Sequence, residues 1–205
     1  MRYALLFLLL AGFGLGTQLS AQQQTLLRKA RFTGAFGAPI YEFALSDGLA
    51  DAAGGGGGLV FNNVFIGGYG MKTRELAPFQ TLNADLTSAE LRQGGFWLGF
   101  TGNSDKLIHP YGSVRAGWGR FDYREDGRGD VIEDRNFAAT PELGLELNVA
   151  TWFRINAAAG YRYVNGLEDN APLTDDQLSG FTANLTLRFG IFGSTKNRWG
   201  RRDWD

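Results

Sequence analysis

Residues 152–164 read WFRINAAAGYRYV. Arg154, Asn156, Ala158, Gly160 and Arg162 occupy alternate positions, with Phe153, Ile155, Ala157, Ala159, Tyr161 and Tyr163 between them. A period of two is that of an extended strand, whose successive side chains point to opposite faces. One face of this strand is polar and basic, the other apolar and aromatic. Residues 178–192 repeat the pattern: Gly180, Thr182, Asn184, Thr186, Arg188 and Gly190 alternate with Phe181, Ala183, Leu185, Leu187, Phe189 and Ile191. Residues 137–149 do so again, with Thr140, Glu142, Gly144, Glu146 and Asn148 set against Phe137, Ala139, Pro141, Leu143, Leu145, Leu147 and Val149.

Five weaker runs extend the series toward the N-terminus. Residues 31–43 alternate around Phe32, Phe36 and Ile40, with Pro39 marking a bulge or irregular stretch. Residues 49–61 are glycine-rich, and 64–71 follow the turn signal Asn62-Asn63. Residues 90–101 carry Phe96, Trp97, Leu98 and Phe100, and 109–123 set Val114, Ala116 and Trp118 against Ser113, Arg115 and Gly117. The predicted fold is all-β, an eight-stranded antiparallel up-and-down barrel. Most runs reach the roughly nine to eleven residues of a tilted membrane strand. The connections alternate in length. Short turns fall at 62–63, 102–108 and 149–151; of the four connections on the other side, 45–48 is short, whereas 72–89, 124–134 and 165–177 are long and polar. Short periplasmic turns facing longer outer loops are the asymmetry of outer-membrane barrels.

Composition narrows the function. The chain has 205 residues and a net charge of -1, from 20 Lys+Arg and 21 Asp+Glu, so it lacks the basic excess of a nucleic-acid binder. It has no cysteine and a single histidine, His109, which excludes disulfides, thiolate metal sites and multi-histidine metal sites. No cofactor is expected. Residues 1–21 read as a secretory signal: Arg2 is the basic n-region, 3–15 the apolar h-region, and Ser20-Ala21 the cleavage site before Gln22. The expected organisation is a signal peptide over 1–21, a barrel over 22–192 and a periplasmic tail over 193–205. No later segment is apolar enough to cross a bilayer as a helix, so a membrane-embedded mature chain must be a closed barrel.

Alternation leaves open which face meets lipid, since a soluble lipocalin-like barrel turns its apolar face inward around a small apolar ligand. Lipid outside is favoured by Arg115, Glu142, Glu146, Arg154, Arg162 and Arg188, all on polar faces and able to pair as a network across a narrow lumen. It is favoured too by aromatics near predicted strand ends, which suit a membrane-interface girdle: Trp118, Phe121, Tyr123, Trp152, Phe153, Tyr161, Tyr163, Phe189 and Phe192. Glycines 54–58, with Gly67, Gly68 and Gly70, read as small residues that relieve crowding in a tightly curved sheet or beside long lumen side chains.

Catalytic readings are weak. His109 and Ser113 share a strand and raise the alternative of a lipid A-modifying barrel enzyme, but that strand starts at a periplasmic turn while lipid A lies in the outer leaflet. Glu142 and Glu146 stand roughly 13 Å apart along their strand, too far for a glycosidase pair. The acidic stretches 125–134 and 168–176 lack an EF-hand spacing, and 54–58 lacks the Gly-Lys-Ser/Thr ending of a phosphate loop. The expectation is a non-enzyme with no catalytic, metal or cofactor residues.

Several segments carry a family likeness: GAFGAP at 34–39, GGGGGLVFNN at 54–63, FIGGYG at 65–70, KLIHP at 106–110 and the last strand ending LRFGIF at 187–192. Together they resemble small outer-membrane β-barrel proteins of the Bacteroidota, of the OmpA/OmpX-like, "porin-like" type. The resemblance implies a Gram-negative cell-envelope protein and assigns no activity. An aromatic-ended last strand is similar to the outer-membrane insertion signal, here followed by a further basic, tryptophan-containing tail. The partners expected are outer-membrane lipids and lipopolysaccharide, with protein partners at the outer loops or the tail, and no nucleic acid.

Overall fold

The computed structural model describes residues 31–46, 50–73, 86–125, 132–167 and 173–193. The expected signal peptide, parts of the outer connections and the tail beyond 193 lie outside these residues. Eight strands follow in chain order: β1 (Phe32–Ala44), β2 (Ala52–Phe61), β3 (Val64–Thr73), β4 (Leu86–Thr101), β5 (Ile108–Glu125), β6 (Ile132–Ala150), β7 (Phe153–Asn165) and β8 (Gly180–Phe192). Each pairs antiparallel with the next, and β8 pairs with β1, closing the barrel. Closure leaves no unpaired sheet edge.

Turn chemistry explains the short end. Asn62 adopts φ 54° in the two-residue β2–β3 turn, a left-handed conformation that asparagine tolerates better than other non-glycine residues. The Asn63 side-chain amide then donates to the Thr101 carbonyl at 2.7 Å, tying this turn to the end of β4. Pro39 breaks one ladder only. It keeps its place opposite Gly55 on β2, while the pairing with β8 lapses between Gly37 and Ile40 and resumes in the same register. The irregularity at Pro39 is therefore a missing ladder bond, as a residue without an N–H requires, and not a bulge.

Strands β5 and β6 run to 18 and 19 residues, well beyond the 109–123 and 137–149 stretches of clear alternation. The added segment 132–136 is charged and reads as loop. It is held as strand by cross-strand pairing with β5, where Arg120 Nη1 lies 3.1 Å from Glu133.

The lumen glycines have a steric cause. A Cβ on Gly99 would lie 2.3 Å from the Phe65 ring and 2.9 Å from Ser113 Cβ. Phe65 is itself held edge-on against Phe36 and Trp97, with centroids 5.2 Å away in each case. Gly99→Ala is therefore expected to destabilise the barrel by about 1–3 kcal/mol through overpacking, measured as a lower urea midpoint for loss of strand circular dichroism in detergent.

Candidate functional site: the charged inner face

The inner face carries the six ionic side chains expected there. Arg115, Glu142, Glu146, Arg154, Arg162 and Arg188 are all buried, none more than 9% exposed. Two acids absent from that set, Glu42 on β1 and Asp134 on β6, are also buried, so among the described residues four buried arginines face four buried carboxylates. Charge balance offsets the cost of taking these groups out of water, because an uncompensated buried ion is expensive.

The groups form two clusters. Nearer the short turns, Glu146 Oε1 accepts from Arg154 Nη1 at 3.0 Å and lies 3.1 Å from His109 Nε2, while Oε2 accepts from Arg188. The other His109 ring nitrogen is 3.2 Å from the Lys106 carbonyl. Nearer the long connections, Glu42 accepts from Arg162 Nε at 2.8 Å and from Arg115. Arg115 also donates to Asn184 Oδ1 at 2.8 Å and to Glu142 Oε2 at 3.3 Å. Glu142 further accepts from Ser113 and Tyr111, and Ser113 accepts from Trp97 Nε1 at 3.1 Å. His109 and Ser113 thus bond to different carboxylates and not to each other. Glu142 and Glu146 likewise serve separate clusters.

One wall of the lumen is aromatic. Phe36, Phe65, Tyr69, Trp97 and Tyr111 point inward from β1, β3, β4 and β5. Arg188 sits 3.8 Å from the centroid of Phe36 and 4.6 Å from that of Phe65, a cation–π arrangement that fixes a guanidinium against an apolar surface. The alternation could have found these rings. Trp97 shares a face with Gln93 and Thr101, and Tyr111 with Ser113 and Arg115. The end facing the long connections carries a second apolar cluster of Leu91, Phe121, Tyr123, Ala138 and Val164 with Leu173 and Leu178. The segment 173–179 folds over the lumen, and Asp175 fastens it by accepting from the Gly166 and Leu167 N–H groups at 3.0 Å each.

Of the expected girdle, Trp118, Trp152, Phe153, Tyr161, Tyr163 and Phe189 lie on the outer face; Trp118 is 67% exposed and Trp152 59%. Phe153 and Tyr163 are separated on β7 by a run that, at ~3.3 Å per residue and a tilt of about 40°, rises roughly 25 Å, the height of a membrane barrel's apolar band. Three aromatics need correcting. Phe192 turns inward, where Arg154 lies 4.1 Å from its ring centroid and Phe36 stacks at 6.3 Å. Phe121 and Tyr123 are buried in the second apolar cluster. In each case the period of two carries the residue to the arginine-bearing face.

No family model matches the chain, and no curated protein matches it in sequence. Among solved structures, the N-terminal β-barrel domain of Pseudomonas aeruginosa OprF matches with a TM-score of 0.53 at 14% identity, over 78% of this chain and 98% of that one. Neisserial surface protein A matches at a TM-score of 0.48 and 13% identity, over 78% of this chain and 94% of its own. Ail of Yersinia pestis matches at 0.44 and 15%, over 77% and 95%. The likeness to the OprF domain is one of fold, and it defines the class: this chain is a closed, eight-stranded, up-and-down β-barrel of the outer-membrane type.

Proposed function

We propose that this chain is an integral outer-membrane barrel protein of a Gram-negative envelope, exported by its signal peptide. Its lumen is plugged by side chains, and its role is structural or one of interaction through the outer loops. We read it as a small OmpA/OmpX-like barrel of the kind its sequence resembles. The observation that carries this reading is the segregation of charge: the ionic network is sealed inside, while Phe96, Leu98, Leu143, Leu145, Phe181 and Ile191 are each more than half exposed outside. In water so large an apolar surface is a liability; in a bilayer it is the required exterior.

An eight-stranded barrel has room only for side chains, and here the arginines, carboxylates and rings fill it. That supports a closed lumen without bulk conduction. It also weighs against a lipocalin-like carrier, whose ligand would have to displace paired charges. The non-enzyme reading draws on His109, whose two ring nitrogens are engaged inside the barrel. Specific recognition then belongs to the outer connections, where side chains vary on a rigid scaffold.

The test is fractionation followed by electrophoresis. The mature protein is expected in detergent-extracted outer membrane, with a gel mobility that shifts on boiling, and planar-bilayer recordings are expected to lack stepwise porin-like conductance. Recovery in a periplasmic wash would refute the membrane assignment, and regular ion-conducting steps would refute the plugged lumen.

A further inference from the structure

Strand register brings four cations into one row on the outer face. Lys72 on β3 pairs with Arg92 on β4, Arg92 with Arg120 on β5, and Arg120 with Arg135 on β6. Neighbouring strands are ~4.8 Å apart, so the row spans about 15 Å. Like charges directly opposite one another destabilise a sheet, and this row sets three such pairs in succession.

Acids stand only on the side toward the long connections, where Glu90, Asp122 and Glu133 form the next row in register. Lys72 lies 4.0 Å from Glu90, Arg92 3.8 Å from Asp122, and Arg120 2.8 Å from Asp122; Arg92 also bonds Glu90, and Arg120 bonds Glu133. These pairs are partly exposed and therefore weak. They hold the cations from one side. Arg135 has no acidic partner among the described residues.

On the opposite side the next row is Gly70, Gly94, Trp118 and Phe137. The outward glycines are unlike Gly99. A Cβ on Gly70 would meet nothing nearer than the Gln93 carbonyl oxygen at 4.0 Å, and one on Gly68 nothing nearer than the Gly95 oxygen at 3.4 Å. At Gly94 a Cβ would lie 3.3 Å from the Tyr69 carbonyl oxygen, a tight contact, but packing does not demand glycine at 68 or 70, yet the wall is bare there. Trp118, edge-on to Phe137 at 6.3 Å, stands as the rim of this trough.

We propose that this cationic shelf and the trough beneath it bind a phosphate-bearing lipid of the outer leaflet, a proposal that rests on the membrane reading above. The phosphate oxygens take N–H groups of Arg92, Arg120 and Arg135 and the Lys72 ammonium, a match to guanidinium geometry that neutral lipids lack. An acyl chain lies along the bare backbone of Gly94, Gly70 and Gly68. A free anion would use the cations and have no use for an apolar trough directly under them, so charge and relief together select a lipid.

The experiment uses the full mature chain in phosphatidylcholine nanodiscs containing either lipid A or dephosphorylated lipid A, with retained lipid counted by native mass spectrometry. Wild type is expected to retain lipid A in preference to the dephosphorylated form. The triple variant R92Q/R120Q/R135Q is expected to lose about tenfold in lipid A affinity, a factor of the size one charged contact supplies. K106Q, which removes a charge at the short-turn end, is expected to retain it fully. Gly70→Leu fills the trough without touching charge and is expected to weaken retention as well; its heat-modifiable gel mobility reports that the barrel has closed. Equal retention of both lipids, an unaffected triple variant, or displacement by inorganic phosphate at matching concentration would each overturn the proposal. Failure of the wild type to enter nanodiscs at all would instead overturn the membrane reading.

Discussion

Replacing Glu146 with alanine is expected to cost about 3–5 kcal/mol of barrel stability, the size of the loss when one partner of a buried ion pair is removed. Glu146 is fully buried and is the carboxylate shared by Arg154, Arg188 and His109. Its removal leaves two guanidiniums in the lumen with no counter-charge between them. Arg188 cannot swing out to solvent, because Phe36 and Phe65 lie against its guanidinium. Arg154 has the Phe192 ring across its own face. Urea titration of the detergent-folded protein, followed by the boiling-dependent gel shift, measures the loss. A change below about 1 kcal/mol, the level of an exposed pair, would mean that the cluster is hydrated. Glu146→Gln separates charge from shape, since it keeps an acceptor in place and still leaves the arginines uncompensated.

Trp97→Ala is expected to cost about 3–5 kcal/mol, the usual penalty for truncating a fully buried large aromatic. Trp97 is 0% exposed and joins the two halves of the lumen. Its ring packs edge-on against Phe36 and Phe65, with centroids 5.4 and 5.2 Å away, and its Nε1 donates to Ser113. Ser113 in turn donates to Glu142, so the deletion opens a void and frees one end of the upper ionic cluster. Strand β2, across the lumen from the indole, cannot fill the space: it offers Gly56, whose Cβ would lie 3.1 Å from the ring. If the aromatic plug also blocks solute passage, the same variant should show small current fluctuations in planar bilayers where the wild type is silent. Wild-type stability and a silent record together would contradict the role given to the aromatic wall.

Strands 137–149, 152–164 and 178–192 were legible because polar and apolar residues alternate there with hardly a break, and a strand exposes that period directly. The six charged residues assigned to the lumen follow from the same alternation, and the structure buries all six. What sequence reading missed has three physical sources. Glu42 and the inward rings Phe36, Phe65, Tyr69 and Trp97 sit on strands with weak polar–apolar contrast: Trp97 stands between Phe96 and Leu98, Phe65 between Val64 and Ile66, and Tyr69 between two glycines, so only parity marks the two faces. Phe121, Tyr123 and Phe192 were assigned to a girdle because they lie near strand ends, although the period of two places them beside Arg115 and Arg188. Leu173 lies in a polar connection without periodicity, and Leu178, read as the first residue of the alternating run 178–192, falls before β8 begins at Gly180; the two meet in the apolar cluster of Leu91, Phe121 and Tyr123. The charged ends of β5 and β6 look like loop because propensity is local, whereas their strand character comes from partners across the sheet.

The central claim is that the apolar wall faces acyl chains while the Glu42 and Glu146 ionic clusters stay within. The most direct measurement places a nitroxide, by single cysteine substitution, at Leu143 on the outer face and in turn at Thr140 on the inner face, in the protein reconstituted into bilayers. At position 143, collisions with oxygen are expected to dominate over those with a water-soluble nickel chelate; at position 140 both are expected to be weak. A nickel-accessible label at 143 would contradict the account.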